Sequence, residues 1–393
     1  MPLINMADML NHAYRHGYAV GGFDLVSLDF LEAIVSAAER CSAPAILSLA
    51  ESHFEHYDFE LTMAATVAAA RRASVPLAIH LDHGASLDSV KRGIALGCNG
   101  VMVDVSTLPF AENVKATRAV VAMAHGCGVP VEGELGYVAG VEGEDAETHP
   151  GEVIYTSPEE AEVYVEQTGV DFLAVSVGTV HGRLRGAPQL DFARLCQINE
   201  RLRIPLVIHG GTGLTDEQFR TLVKNGVAKI NYYTALADAA AARIRENART
   251  MPDGGYTSLL RGVREVIAAE VERCMKLWGG AGRATQVLNE CRPWREVEHV
   301  IIYNLRQDMS EDDARALMTQ GRDALATVPG VRRVFSGRAA QDQAPYRYCW
   351  LIRFASESVI ENYRVHPTHR QFADGQFRPV AQDRVSIDFE AVE

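Results

Sequence analysis

Long apolar runs are missing from this 393-residue sequence. None approaches the roughly 20 residues that span a bilayer, so no membrane partner is expected. The opening MPLINMADMLNHAYRHG has no basic segment followed by an apolar stretch, so no export signal is expected there. No CxxC pair occurs. The seven cysteines (Cys41, Cys98, Cys127, Cys196, Cys274, Cys291, Cys349) are odd in number and scattered, which argues against a disulfide framework and suits reduced thiols in a cytoplasmic protein. Basic residues are in deficit, 38 against 51 acidic ones, for a formal charge of −13. Such a surface does not attract nucleic acid. Low-complexity tracts are absent as well. What remains is the balance of an ordinary globular chain, 47% hydrophobic and 23% charged. Its length suits a (β/α)8 barrel of about 250 residues with a smaller domain attached.

The first two-thirds repeat one pattern, in which short apolar, β-branched runs alternate with stretches of helical period. Eight strands are expected, over 19–24, 45–50, 77–82, 100–105, 130–135, 171–177, 205–209 and 227–231. Helices are expected between them, for example over 29–40, 87–96, 111–125, 157–168 and 215–225, and a long one over 256–278. Apolar strands alternating with helices mean a parallel sheet covered on both faces. Eight units favour a closed (β/α)8 TIM barrel over 1–285. The Gly-rich, then polar stretch GGAGRATQVLNECRPWRE has no clear period, and 286–296 is expected to be a linker. From about Val297 the order is β-α-β-β-α-β, which suits a small α+β ferredoxin-like domain over 297–393.

In such a barrel, functional groups gather at the carboxyl ends of the strands. HLDHG places Asp82 and His83 there, EGELG places Glu134, GTVHG places His181, IHGGTG places His209, and NYYT places Asn231 and Thr234. A lone histidine is more often a hydrogen-bonded structural residue. Three at strand ends of one barrel, each beside a glycine, fit a three-imidazole catalytic zinc site with one open position. His80 could stand behind them. His12, His16, His53, His56 and His125 read as helix or loop residues. Asp82 could orient a ligand, bind the metal or carry a proton, and the sequence does not choose among these. Gly210, Gly211, Thr212 and Gly213 lead into a helix after the seventh strand, where such barrels bind phosphate. The acidic, Gly-rich stretch from Gly136 to Gly151 reads either as a solvated surface loop or as a lid that closes over substrate and delivers a group such as Glu142.

Together these motifs resemble the class II, metal-dependent ketose-bisphosphate aldolases of the fructose and tagatose type, over about residues 3 to 285. The resemblance implies that His83, His181 and His209 bind catalytic zinc, with Glu134 able to meet it in an alternate position. It implies that Asp82 moves the proton on the aldehyde-derived oxygen and Glu142 the proton on the dihydroxyacetone phosphate carbon. It further implies that Gly182, Gly210, Gly211, Thr212, Asn231 and Thr234 bind phosphate and ketone, with a monovalent cation, Na+ or K+, near that phosphate. Zinc would act as the Lewis acid that stabilises an enediolate. The family commonly has Asn at the position of Asp24, Ser at Ala50, and a small residue or Asp at Tyr233. These three are therefore the specificity candidates.

HVIIYNL, VPGV and YRVHPTHRQF make the C-terminal region resemble the stress-responsive A/B barrel (Dabb) domain. That resemblance implies self-association into a homo-oligomer, a dimer or larger. His366 and His369 are expected to be structural. The expected function is reversible cleavage of a ketose phosphate to dihydroxyacetone phosphate and an aldehyde. The alternatives are the same fold acting on a non-standard acceptor aldehyde, and a non-catalytic protein that binds metal and phosphosugar.

Overall fold

The computed structural model describes residues 2–138, 140, 154–183 and 189–391. Eight parallel strands close a barrel in sequence order: β1 (Val20–Asp24), β2 (Ala45–Ala50), β3 (Leu77–Gly84), β4 (Gly100–Val103), β5 (Val131–Leu135), β6 (Phe172–Val175), β7 (Leu206–Ile208) and β8 (Val227–Tyr232). Closure is made by β1 on β8, from Val20↔Lys229 to Phe23↔Tyr232. All eight expected strands form, with ends shifted by a residue or two. Their runs were legible because nearly every position is buried.

The two ends of the barrel differ in chemistry. The helix Met6–His16 starts where the Asn5 side chain accepts from Asp8 N and stops at Gly17, φ 64°. Its apolar face (Met6, Met9, Leu10, Ala13) packs on Val20, Ile46, Ala78, Met102 and Phe172, closing the amino end with hydrocarbon. A Cβ on Gly100 would meet Met6 Sδ at 2.0 Å, so the bare glycine leaves the space that the Met6 side chain fills. The polar groups lie at the other end.

Two expectations are corrected. The single helix over 256–278 is two, Tyr256–Leu259 and Val263–Leu277, because Gly262 turns left-handed at φ 75°. Asn247 Nδ2 donates to the carbonyls of Leu259 and Arg261 that the break releases, at 2.8 and 2.7 Å. The stretch expected as a linker is not a bare connector. It carries the helix Ala284–Glu290, whose Val287 lies with Cys291 in the apolar cluster at the amino end of the barrel. Arg292 then clasps the Asp8 carboxylate through Nε and Nη2. The first compact unit accordingly runs to Pro293.

The second unit contains an antiparallel sheet of β9 (Val297–Leu305), β10 (Val331–Arg338), β11 (Tyr348–Phe354) and β12 (Ala381–Glu390), in the order β10-β11-β9-β12. With the helix Glu311–Leu325 and the later pair Val359–Val365 and Pro367–Phe372, it makes the expected ferredoxin-like order. The second helix of that order ends at Val365 and the chain turns helical again after His366. His366 is extended (ψ 134°) because the following Pro367 disfavours the helical region for it. Trp350, Tyr303, Phe372 and Phe377 form the aromatic core. Among the described residues, no helix is long and apolar enough to cross a membrane.

Candidate active site

Strand alternation puts Asp82 on the same face of β3 as His80, which would send His83 away. It does not, because His83 has φ 46° and the β3/β4 register shifts between Leu81 and Gly84. This bulge turns two consecutive residues toward one site. A non-glycine residue held left-handed costs about 1–2 kcal/mol. The surroundings hold it there. His83 Nδ1 donates to Asp104 Oδ2 at 2.7 Å, and Asp104 Oδ1 accepts from Ser106 N and Oγ at 3.0 and 2.7 Å.

The other two imidazoles are fixed in the same manner. His181 Nδ1 donates to the Val138 carbonyl at 3.1 Å, and His209 Nε2 donates to Glu132 Oε1 at 3.0 Å. Each ring therefore has one nitrogen left. His83 Nε2, His181 Nε2 and His209 Nδ1 turn toward one another, and a nitrogen from each ring lies within 4.8 Å of the others. His209 Nδ1 is 2.9 Å from His83 Nε2, and the buried His181 Nε2 has no hydrogen-bond partner among the described residues. Burial, reinforced by His83 and His209, pushes His181 down to about 3, so it is a neutral imidazole ready to ligate. Three convergent ring nitrogens, one of them orphaned, fit a cation such as zinc. Asparagine at Asp104 should preserve the fold but weaken metal affinity by about 10–100-fold, as loss of such carboxylate support does. Competition against a chromophoric chelator checks this, and unchanged affinity would remove Asp104 from the ligand geometry.

A buried charged layer lies beneath the histidines. Lys229 Nζ is 2.6 Å from Glu132 Oε2 and 4.0 Å from Asp82 Oδ1. His80, fully buried, lies 3.7 Å from Glu132 and 3.8 Å from Asp82. Asp82, His209 and Glu132 could also group around a metal, but the Lys229 ammonium already neutralises Glu132. Burial alone would raise Asp82, yet His83, Lys229 and His209 outweigh it and hold the carboxyl well below its ordinary range. Glu134 is the opposite case. Burial, then the nearby Asp104, pushes it well above the carboxylate range. Its carboxylate groups with His83 and Asp104 rather than with all three histidines. Asp104, Glu132 and Lys229 were not anticipated as site residues. The alternation of Glu132 with Glu134 along β5 was the available signal for one of them.

The remaining candidates gather at the same rim. Asn231 Nδ2 donates to Asp82 Oδ2 at 2.7 Å and lies 3.5 Å from His209 Nδ1. Gly210 has φ 72°, and a Cβ there would sit 2.1 Å from the Val180 carbonyl oxygen; Gly182 is also left-handed, at φ 80°. The helix that directly follows the glycines, Asp216–Lys224, has its start closed by its own Thr215–Gln218 capping box. The glycine run instead meets the start of Thr234–Thr250, where Thr212 Oγ1 accepts from Ala235 N at 3.2 Å. Thr234 is buried and Gly211 packs on Tyr232. Asp24 ends β1 fully buried, and Ala50 pairs in register with Asp82. The Tyr233 ring lies 4.5 Å from His53, and burial pushes the Tyr57 hydroxyl up, with Asp24 and Tyr233 adding to it. His53, read from sequence as a helix or loop residue, is thus a buried part of this wall. Glu142 lies outside the described residues.

Residues 4–283 match the profile of class II fructose-bisphosphate aldolase. The chain belongs to that family. As a class II aldolase it is a lyase. The aldolase barrel is 40% identical over 290 residues to the fructose-bisphosphate aldolase of Geobacillus stearothermophilus, covering 73% of this chain and 100% of that one. It is 41% identical over 288 residues to the probable fructose-bisphosphate aldolase of Bacillus subtilis, covering 72% of this chain and 100% of that one. Among solved structures, the YdjI aldolase of Escherichia coli K12 superposes with a TM-score of 0.65 at 33% identity, covering 72% of this chain and 99% of that one. Residues 297–391 match the stress responsive A/B barrel domain.

Proposed function

We propose that this aldolase is zinc-dependent and reversibly cleaves a ketose phosphate into dihydroxyacetone phosphate and an aldehyde. The observation that carries this is the set of three imidazole nitrogens, each turned inward because the other nitrogen of its ring is bound. Zinc bound there supplies a Lewis acid for the ketose carbonyl. The protein does the rest. Asp82, kept ionised by Lys229 and the histidines, takes the proton from the hydroxyl that becomes the aldehyde oxygen, and returns it in synthesis. Asn231 holds that carboxylate in place. The backbone around Gly210 to Thr212, with the start of the helix Thr234–Thr250, holds the phosphate.

The far wall favours an acceptor other than a phosphorylated triose. Asp24 places a buried carboxylate, and Tyr233 and His53 an aromatic surface, where a second phosphate would meet repulsion and lost space. Retro-aldol turnover is the test, using fructose 1,6-bisphosphate, tagatose 1,6-bisphosphate and ketose 1-phosphates on zinc-loaded and chelated protein. Dihydroxyacetone phosphate should appear with zinc, disappear on chelation and return with added zinc. If no ketose phosphate is cleaved by the zinc-loaded protein, it is a binder and not an aldolase of this kind. Efficient cleavage of fructose 1,6-bisphosphate would overturn the unusual acceptor while leaving the chemistry standing.

A further inference from the structure

Two histidines of the helix Met6–His16 lie at the amino end of the barrel, opposite the three-imidazole site, and the aldolase chemistry does not use them. His12 and His16 are four residues apart, which puts both rings on one face of the helix. The rings stack with centroids 4.0 Å apart and planes at 23°. Glu290, the last residue of the helix Ala284–Glu290, brings a carboxylate to them. One nitrogen from each ring and one oxygen of Glu290 all lie within 4.8 Å of one another.

Each ring offers the same nitrogen. His16 Nδ1 donates to the His12 carbonyl at 2.8 Å, and a carbonyl can only accept, so Nε2 is the nitrogen that can take a ligand. His12 Nδ1 lies 2.9 Å from the Tyr18 hydroxyl, which accepts as well as donates. Nδ1 can therefore keep the ring proton while Nε2 takes a ligand. His12 is fully buried, and its Nε2 has no hydrogen-bond partner among the described residues; Glu290 Oε2 is 3.5 Å away. A buried polar atom left in this state calls for a partner, and it separates this group from an ordinary pair of surface histidines.

Gln286 supplies an independent sign. Its Nε2 donates to His16 Nε2 at 3.2 Å and to Glu290 Oε1 at 3.0 Å. One amide group thus sits between an imidazole and a carboxylate, doing with two protons what a cation does with its charge. Glu290 is 47% exposed, so an ion can reach the group from solvent. The guanidiniums of Arg15 and Arg283 also act on His12, so an ion here is held less tightly than by three converging imidazoles.

We propose that His12, His16 and Glu290 form a second metal site, for a divalent transition ion such as Zn2+, which clamps the helix Met6–His16 to the helix Ala284–Glu290. Two ring nitrogens and one carboxylate suit zinc and its neighbours, whereas magnesium and calcium take oxygen ligands. On metal binding the Gln286 amide gives up its place between His16 and Glu290. The ion then joins two segments far apart in the chain, and binding the folded form alone makes it a stabiliser.

The experiment is equilibrium dialysis of the full chain against a series of zinc chloride concentrations in chelator-free buffer, with bound metal counted by atomic emission. His16→Ala, at an exposed position, should take up one zinc fewer per chain than the parent, whatever number the three-imidazole site holds. Glu290→Gln, also exposed, should weaken the same equivalent by at least the roughly tenfold that loss of a supporting carboxylate costs. Zinc should raise the thermal midpoint of the parent by more than that of His16→Ala, with circular dichroism of the two alike in chelator. Retro-aldol turnover of His16→Ala should match the parent, which separates this site from the catalytic one. Equal zinc uptake by the parent and both variants overturns the proposal. So does displacement of the extra zinc by equimolar magnesium chloride, because the ion would then be held by acidic surface alone.

Discussion

Asp82→Asn should bind zinc as the parent does and lose about 10²–10⁴-fold in kcat, the range a positioned acid or base contributes. The substitution keeps the shape of the side chain and an oxygen to accept from Asn231 Nδ2, now 2.7 Å away. It removes only the ability to take a proton. The three histidines reach their own partners without Asp82, through Asp104, Val138 and Glu132, so metal content should not change. KM should change much less than kcat, because the proposed role puts Asp82 at the breaking bond and not at the phosphate. Metal analysis beside steady-state kinetics separates the outcomes. Undiminished kcat would exclude Asp82 from proton transfer, whereas loss of zinc would make it a ligand.

Lys229→Met should destabilise the barrel by about 3–5 kcal/mol, since removing one partner of a buried ion pair leaves the other charge unpaired in a dry interior. That is a large part of the 5–15 kcal/mol by which domains are ordinarily stable. Both side chains are fully buried, and Glu132 also accepts from His209, so the stranded carboxylate cannot turn to water. The double variant Lys229→Met, Glu132→Gln buries no net charge at the pair and keeps an oxygen for His209. It should recover much of the loss. Denaturant unfolding of the parent and both variants decides the matter. A single variant as stable as the parent, or a double variant no better than the single, would show that the pair is not what holds this layer.

The strands and the three histidines could be read from the sequence for one reason. A buried parallel strand is apolar along its whole length, so a polar residue at its end stands out. The layer beneath stayed hidden for the converse reason. Lys229 inside β8 and Glu132 inside β5 each look like an exposed alternation, and only closure of the barrel sets them 2.6 Å apart. Asp104 gave no sign because its role depends on the rotation of His83, and nothing in HLDHG reveals a left-handed histidine. His53 was hidden by the short helical turn Glu51–His53 that returns it to the rim. The break at Gly262 was similarly obscured, because the residue that makes it tolerable, Asn247, belongs to another helix.

The hydrocarbon seal under the barrel has a further consequence. With Met6, Met9 and Leu10 closing the amino end, the buried groups Glu132, Lys229 and His80 have, among the described residues, hydrocarbon beneath them and the histidine rim above. The Lys229–Glu132 pair, fully buried, is therefore little screened by dissolved salt.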